Sequence, residues 1–549
     1  MPSSLVSFLA IALHWASTLA SLSVKSVNLG YAVYQTDLEL DEGVTSFLGI
    51  RFAAPPTGEL RFRAPQLPSK EPGIQNATTQ PAQCWQSGVG ASPTSPFRKR
   101  FLPPPPTVSS EDCLFLKLRD CSIVSQMTLN LCTHLPVLVW IHGGGYTGGN
   151  TSSFPGQTVP KDSNLGLILV QIQYRLGPFG FLPGSEVKED GTLNAGLLDQ
   201  QFAFRWIQDH ISKFGGDPAK VTIYGESAGA GSVLQHVVAN GGHTEPQLFR
   251  QAMTSSVFLP SQFAFNDPIS EASSSLNNTM FTRLIPASRS CTTSKNLACL
   301  RSIDASTLND ASVIIADQNF NGVFSWVPVI DEKFIVQRPT VSIQENRINA
   351  PISLVVTNAH EGDIFTNPAQ ILANNFTLEE YISELFPRMD SKSIQQASAL
   401  YSKVNTGDIT AQAADVYGEA IFVCPSFFIL EAAKSPAWKG EFAVPPALHG
   451  NDVNYVFADP TVPPVPFNNP VFIHNFQQAF FATSMSLNPN AHFINDNVTP
   501  FWPTWQESEQ VMLFNRSEAG APVVRLVARD SALLERCAFW HSVADVNSQ

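Results

Sequence analysis

Apolar positions in this 549-residue chain come in short unbroken runs, not in strict alternation with polar ones. The clearest runs are residues 135–141, 165–172, 221–224 and 351–356. Each is too short for an ordinary helix and lacks a polar face, the mark of a strand buried on both sides. Residues 197–210, 231–238 and 423–433 carry helix-like spacing between and after them. Buried strands alternating with helices predict an α/β fold, with a large, mostly parallel central sheet and helices on both faces. No internal repeat or heptad run interrupts the pattern. Nothing reads as a domain-splitting linker, so residues 21–549 are expected to form a single domain.

The start of the chain has a different pattern. Residues 5–13 form a short apolar block, and Thr18-Leu19-Ala20 supplies small residues after it. No Lys or Arg precedes the block, yet it reads as a signal peptide, residues 1–20, cleaved before Ser21. No other stretch reads as long and apolar enough to span a bilayer. The polar tail Val546-Asn547-Ser548-Gln549 does not fit a lipid-anchor signal.

Composition narrows the class further. An apolar content of 44% with 14% charged residues is that of a globular protein. The net charge of −13 argues against nucleic acid or an anionic membrane as partner. Eight cysteines, an even number, fit an oxidising compartment. Cys121 with Cys132, and Cys291 with Cys299, are spaced to close short loops. Glycosylation sequons begin at Asn76, Asn150, Asn277, Asn375, Asn497 and Asn515. Together with the leader they predict a secreted, extracellular glycoprotein.

The most informative motif is Gly225-Glu226-Ser227-Ala228-Gly229. An apolar run precedes it and small residues follow, which reads as strand, tight turn and helix. Such a turn lifts the Ser227 hydroxyl above the end of a sheet and aims the first N–H groups of the helix at the same point. A serine hydroxyl needs a base to take its proton, and its attack creates an oxyanion that needs donors. Donors are offered upstream by Trp140-Ile141-His142-Gly143-Gly144-Gly145-Tyr146, where bare backbone can approach a carbonyl. The order serine, acid, histidine places the base late in the chain. His449 fits best, in the turn-rich loop Pro445-Pro446-Ala447-Leu448-His449-Gly450. His360, His474, His492 and His541 also follow Ser227; His474 reads as packed within an apolar helix, and His360 as pointing away if Glu361 points in. Both Glu361 and Asp363 follow the strand-like run at 351–356, and spacing does not separate them.

The motif series resembles that of the type-B carboxylesterase/lipase family of the α/β-hydrolase fold, and most of all its secreted fungal members. The resemblance is carried by Phe47-Leu48-Gly49-Ile50-Arg51-Phe52, Glu111-Asp112-Cys113-Leu114 and Tyr174-Arg175-Leu176-Gly177. It continues through Asn194-Ala195-Gly196-Leu197-Leu198-Asp199-Gln200, Phe214-Gly215-Gly216-Asp217-Pro218, the serine motif and Leu448-His449-Gly450-Asn451-Asp452. It implies Ser227 as nucleophile, Glu361 as acid and His449 as base. The backbone N–H groups of Gly144, Gly145 and Ala228 would form the oxyanion hole, with Glu226 and Ser256 supporting the site. It also implies disulfides Cys84–Cys113 and Cys291–Cys299, leaving Cys424 and Cys537 as a long-range pair. Ser255-Ser256-Val257 stands where the family usually has Gln-Ser-Gly, and His360 where an Asp often precedes the acid.

The expected function is hydrolysis of a small-molecule or lipid ester through an acyl-enzyme, with no metal and no organic cofactor. A true lipase acting on long-chain acylglycerols or sterol esters is the alternative, and a catalytically silent adhesion relative a further one. The segment between Cys84 and Cys113, with Arg98-Lys99-Arg100 and the Pro-rich residues 103–106, reads as an esterase lid short of apolar residues.

Overall fold

In a computed structural model of the chain, the buried runs become neighbours in one 11-stranded sheet. The residues described are 24–41, 43–88, 108–121, 132–270, 297–458, 464–494 and 496–549. The expected leader, Cys291, Asn277, the basic triplet and the Pro-rich residues 103–106 lie outside them.

Strands β1 (Lys25–Asn28), β2 (Val33–Thr36) and β5 (Ile74–Asn76) make a separate 3-stranded sheet. The large sheet begins with β3 (Glu39–Asp41), β4 (Val44–Arg51) and β6 (Phe115–Cys121). It continues with β7 (Leu135–Ile141), β8 (Ile168–Ile172), β9 (Gly216–Glu226), β10 (Gln251–Ser255) and β11 (Ile352–Asn358). Strands β12 (Trp438–Phe442), β13 (Gln510–Arg516) and β14 (Pro522–Ala528) complete it. In space the order is β14-β13-β12-β11-β10-β9-β7-β8-β6-β4-β3. From β8 to β13 every neighbouring pair is parallel, whereas β3, β4, β6 and β14 pair antiparallel at the flanks.

The unbroken apolar runs have a simple cause. Val137, Val139 and Ile141 enter one hydrophobic cluster with Val170 and Ile223, while Leu138 and Trp140 enter another with Leu169 and Tyr224. Successive side chains point to opposite faces, and both faces are covered, so neither parity can be polar. Helix Ala228–Gly242 contributes Val233, Leu234 and Val237 to the first cluster. Helix Pro470–Ser486 contributes Phe472, Phe476 and Phe480 to the second.

Helix Ile409–Ala432 reaches the length and apolarity of a membrane span, contrary to the reading that no stretch does. It is mostly buried within the fold, where a largely apolar helix serves as core. A turn of π-helix, Glu419–Val423, interrupts it. His474 does lie on a helix but on its exposed side, since the buried stripe of Pro470–Ser486 passes through Phe472, Ile473 and Phe476. The carbohydrate expectation fails at Asn150, which is 1% exposed and donates its amide to Gln83 Oε1 at 2.8 Å. Asn76, Asn375 and Asn497 are exposed. Disulfides join Cys84 to Cys113, Cys121 to Cys132 and Cys424 to Cys537. Cys299 is also disulfide-bonded.

The other motifs meet through ion pairs that range from partly to wholly buried. Arg51 grips Asp112 with both guanidinium ends (2.6 and 2.9 Å), and Arg61 grips Glu111 in the same way (2.6 and 2.6 Å). Arg175 reaches Asp199 through Nε and Nη2, each at 2.7 Å, and its backbone N–H joins at 3.1 Å. This last pair is almost wholly buried, with side chains 3% and 0% exposed. Removing one member leaves the other charged and unpaired in the interior. Asp199→Ala is therefore expected to cost about 3–5 kcal/mol of folding stability, read as a lower denaturant midpoint with an unchanged slope.

Candidate active site

Strand β9 ends at Glu226 and the next helix starts at Ala228, leaving Ser227 alone to turn the chain. Ser227 adopts φ 55° and ψ −125°, a conformation few side-chain-bearing residues accept. Its N–H donates to Ser255 O at 3.0 Å and its carbonyl accepts from Gly231 N at 2.8 Å. The glycines beside it are steric necessities. A Cβ at Gly225 would stand 2.3 Å from the Gly229 carbonyl carbon, and one at Gly229 would stand 2.1 Å from Ile141 O.

The glycine loop follows β7 directly, which brings it alongside the turn. A Cβ at Gly143 would lie 2.9 Å from Ser227 Cβ, so the two segments touch through bare backbone. Gly144 (φ +105°) and Gly145 (φ +63°) are left-handed, and the Phe324 ring lies over Gly145. Among the described residues, the Gly144 and Gly145 N–H groups make no backbone hydrogen bond. The Ala228 N–H belongs to the first turn of its helix, where no partner exists within the helix. Neighbouring His142 stacks on Tyr174 at 4.4 Å, and burial pushes its pKa down to about 4.

Glu361 and His449 lie on the loops that follow β11 and β12. A bridge pairs His360 with Leu448, and His360 N donates to Ala447 O at 3.0 Å, so the two loops travel together. His360 itself is exposed, as is Asp363. Glu361 turns inward, and its Oε2 lies 2.6 Å from His449 Nδ1. Its Oε1 accepts from Asn358 N and from Ser256 Oγ, each at 2.6 Å. Of the two carboxylates that spacing left open, it is Glu361 and not Asp363 that touches His449.

Sequence reasoning passed over several residues here. Asn358 donates through Nδ2 to Asp452 Oδ1 at 2.9 Å and receives Asp452 N at 3.1 Å. Asn358 is the last residue of β11, and Asp452 sits one helical turn beyond His449, so element ends were the available signal. Phe422 and Phe365 flank the imidazole, with ring centroids 4.3 and 5.0 Å away. Phe258 and Phe324 extend this aromatic wall. Lys439 is buried in β12, bonded to Thr357 Oγ1 at 2.6 Å and Gly440 O at 2.7 Å; burial pulls its pKa down to about 8.

His449 Nε2 faces Glu226 Oε1 at 3.2 Å and has no hydrogen-bond partner. Burial pushes the Glu226 carboxyl up to about 8, with nearby Asp452 and Glu361 adding to the shift against the pull of His449. Burial likewise raises Asp452. For His449, burial opposes the charged ring, but Glu226 and Glu361 outweigh it and hold the pKa above the ordinary histidine value. Among the described residues, no cluster of three or more His, Cys, Asp or Glu side chains is arranged to hold a metal ion. A hydroxyl on a strained turn, an imidazole held by a carboxylate and uncommitted N–H groups are the parts acyl transfer requires.

The model of the Carboxylesterase family matches residues 33–540. The chain belongs to this family. It is similar to "Secreted triacylglycerol lipase LIP1" of Gibberella zeae, 31% identical over 86% of this chain and 83% of the relative. It is also similar to "Cholinesterase" of Mus musculus, 28% identical over 90% of this chain and 83% of the relative. Among solved structures, EstA of Aspergillus niger superposes with a TM-score of 0.80 at 27% identity, over 96% of this chain and 99% of that one. This family member is accordingly a carboxylic ester hydrolase of α/β-hydrolase fold.

Because carboxylates flank the ring, the His449 imidazole of this carboxylesterase is expected to titrate above the unperturbed value of about 6.5. Glu226→Gln removes one of those charges and should move the midpoint down. NMR titration of the imidazole signals in both proteins measures it.

Proposed function

We propose that this carboxylesterase hydrolyses esters through an acyl-enzyme on Ser227, with His449 as general base and Glu361 as its orienting acid. The 2.6 Å contact between Glu361 and His449 Nδ1 is the observation that carries this reading. Glu361 holds the ring in the tautomer whose Nε2 is free to accept a proton. The ring now faces Glu226, and binding of substrate would bring Nε2 onto Ser227 Oγ, a contact that in such enzymes often tightens only in the complex. Ser227 attacks the ester carbonyl, and the N–H groups of Gly144, Gly145 and Ala228 receive the oxyanion. His449 passes its proton to the leaving alcohol. Water then repeats the sequence and frees the acid. Ser227→Ala is expected to lower kcat on p-nitrophenyl butyrate by about 10⁴-fold or more, with an unchanged unfolding curve. Retained turnover would overturn the assignment.

The aromatic wall of Phe258, Phe324, Phe365 and Phe422 favours soluble esters with compact acyl groups. The kinship with a secreted triacylglycerol lipase favours a second reading, long-chain acylglycerols at an oil–water interface. Rates on tributyrin below and above its solubility limit separate the two. The compact-ester reading expects saturation below the limit and no jump above it.

Residues 1–20 would be removed as a leader, leaving residues 21–549 as one secreted domain. The disulfides and the secreted relatives support this.

A further inference from the structure

The segment that follows helix Ser531–Ser542 runs inward. Gln549 is 0% exposed and Asn547 1% exposed. Ser261 Oγ donates to Asn547 O at 2.6 Å, and Gln262 N donates to Ser548 O at 2.6 Å. The Gln549 amide spends both donors on buried main chain: Nε2 reaches Leu259 O at 2.7 Å and Ala420 O at 2.9 Å.

Those two carbonyls belong to the segments that carry the aromatic wall. Leu259 follows Phe258, and Ala420 lies in the π-turn that carries Phe422. The segments also touch directly, Leu259 N donating to Ile421 O at 3.0 Å. Phe258 and Phe422 stack at 5.6 Å, and Phe422 lies against His449 at 4.3 Å. On the other side of Leu259 is a cavity of about 210 Å³ lined by Leu259, Thr340, Ile343, Phe428 and Ile429. Gln549 is tied to that side too, since Thr340 Oγ1 donates to Gln549 O at 2.7 Å.

We propose that Gln549 is a positioning residue that holds the rear of the acyl site closed, and so helps set which acyl lengths this enzyme accepts. One amide bridges the two backbones behind the wall, and neither carbonyl has water to fall back on. A π-turn has a strained hydrogen-bond ladder and depends more than an α-helix on such outside partners. Without the bridge, Phe258 and Phe422 can separate toward the cavity, and a longer acyl chain gains room. The proposal rests on Ser227 being the acylated residue and deepens that reading.

The test compares kcat/KM for p-nitrophenyl decanoate and butyrate in the wild type, Gln549→Ala and Thr340→Val. Gln549→Ala is expected to raise the decanoate-to-butyrate ratio roughly tenfold, the scale of a change in pocket fit. Thr340→Val loosens the same segment but leaves the amide bridge, and should hold the ratio within about twofold. Where Gln549→Ala does not accumulate as folded protein, Gln549→Met keeps the side-chain length without donors and should show the same shift. An unchanged ratio in the Gln549 variants, or an equal shift in Thr340→Val, overturns the proposal even if stability falls. Wild-type protein inert on both esters, or hydrolysis surviving Ser227→Ala, would refute the underlying serine reading instead.

Discussion

Everything at this site hangs on two missing β-carbons. At Gly229 the helix presses its backbone to within 2.1 Å, measured from an imaginary Cβ, of the Ile141 carbonyl. At Gly225 the strand presses equally close to Gly229. Backbone-to-backbone packing of this kind leaves no slack, because hard-sphere contacts resist compression steeply. Ser227 is thereby held at a backbone angle it would not choose. The same contact fixes its distance from the glycine loop, which is simply the continuation of the strand that Gly229 touches.

Around that rigid turn the protein buries more carboxyl groups than it pairs. Glu361 collects Asn358, Ser256 and His449 as donors. Asp452 collects the Asn358 amide and returns its own N–H. Glu226 has only the imidazole Nε2 of His449 at 3.2 Å, and its burial shows as a raised hold on its proton. The result is graded: one carboxylate is well solvated by protein dipoles, another partly, another hardly at all. A buried imidazole among them is drawn toward positive charge, as the proposed general base would need.

Much of this was legible in the residues. The runs at 135–141 and 351–356 became β7 and β11 nearly end for end, because strands buried on both faces need apolar residues at both parities. Gly225 and Gly229 were legible because only sterics explain glycines at those positions. His449 was preferred for its loop, and its Nδ1 lies 2.6 Å from Glu361 Oε2. What stayed hidden depends on side chains meeting across elements. Asn358 meets Asp452 over 94 positions of sequence, and Gln549 meets Leu259 over 290. Asn150 misled because a sequon records what an enzyme of glycosylation recognises, while burial is decided by the fold. His474 misled because an apolar helix still has one side that faces water.

The bridge between His360 and Leu448 has a consequence for how function is gained and lost. It ties together two loops that belong to separate strand ends, and the serine turn belongs to yet another. No stretch of chain short of Ser227 through His449 contains the reacting groups, and no partial sheet can align them. On the proposed assignment, a half-folded molecule therefore has no assembled site to act with. For an esterase, the nascent chain thus stays chemically silent until its central strands have closed ranks.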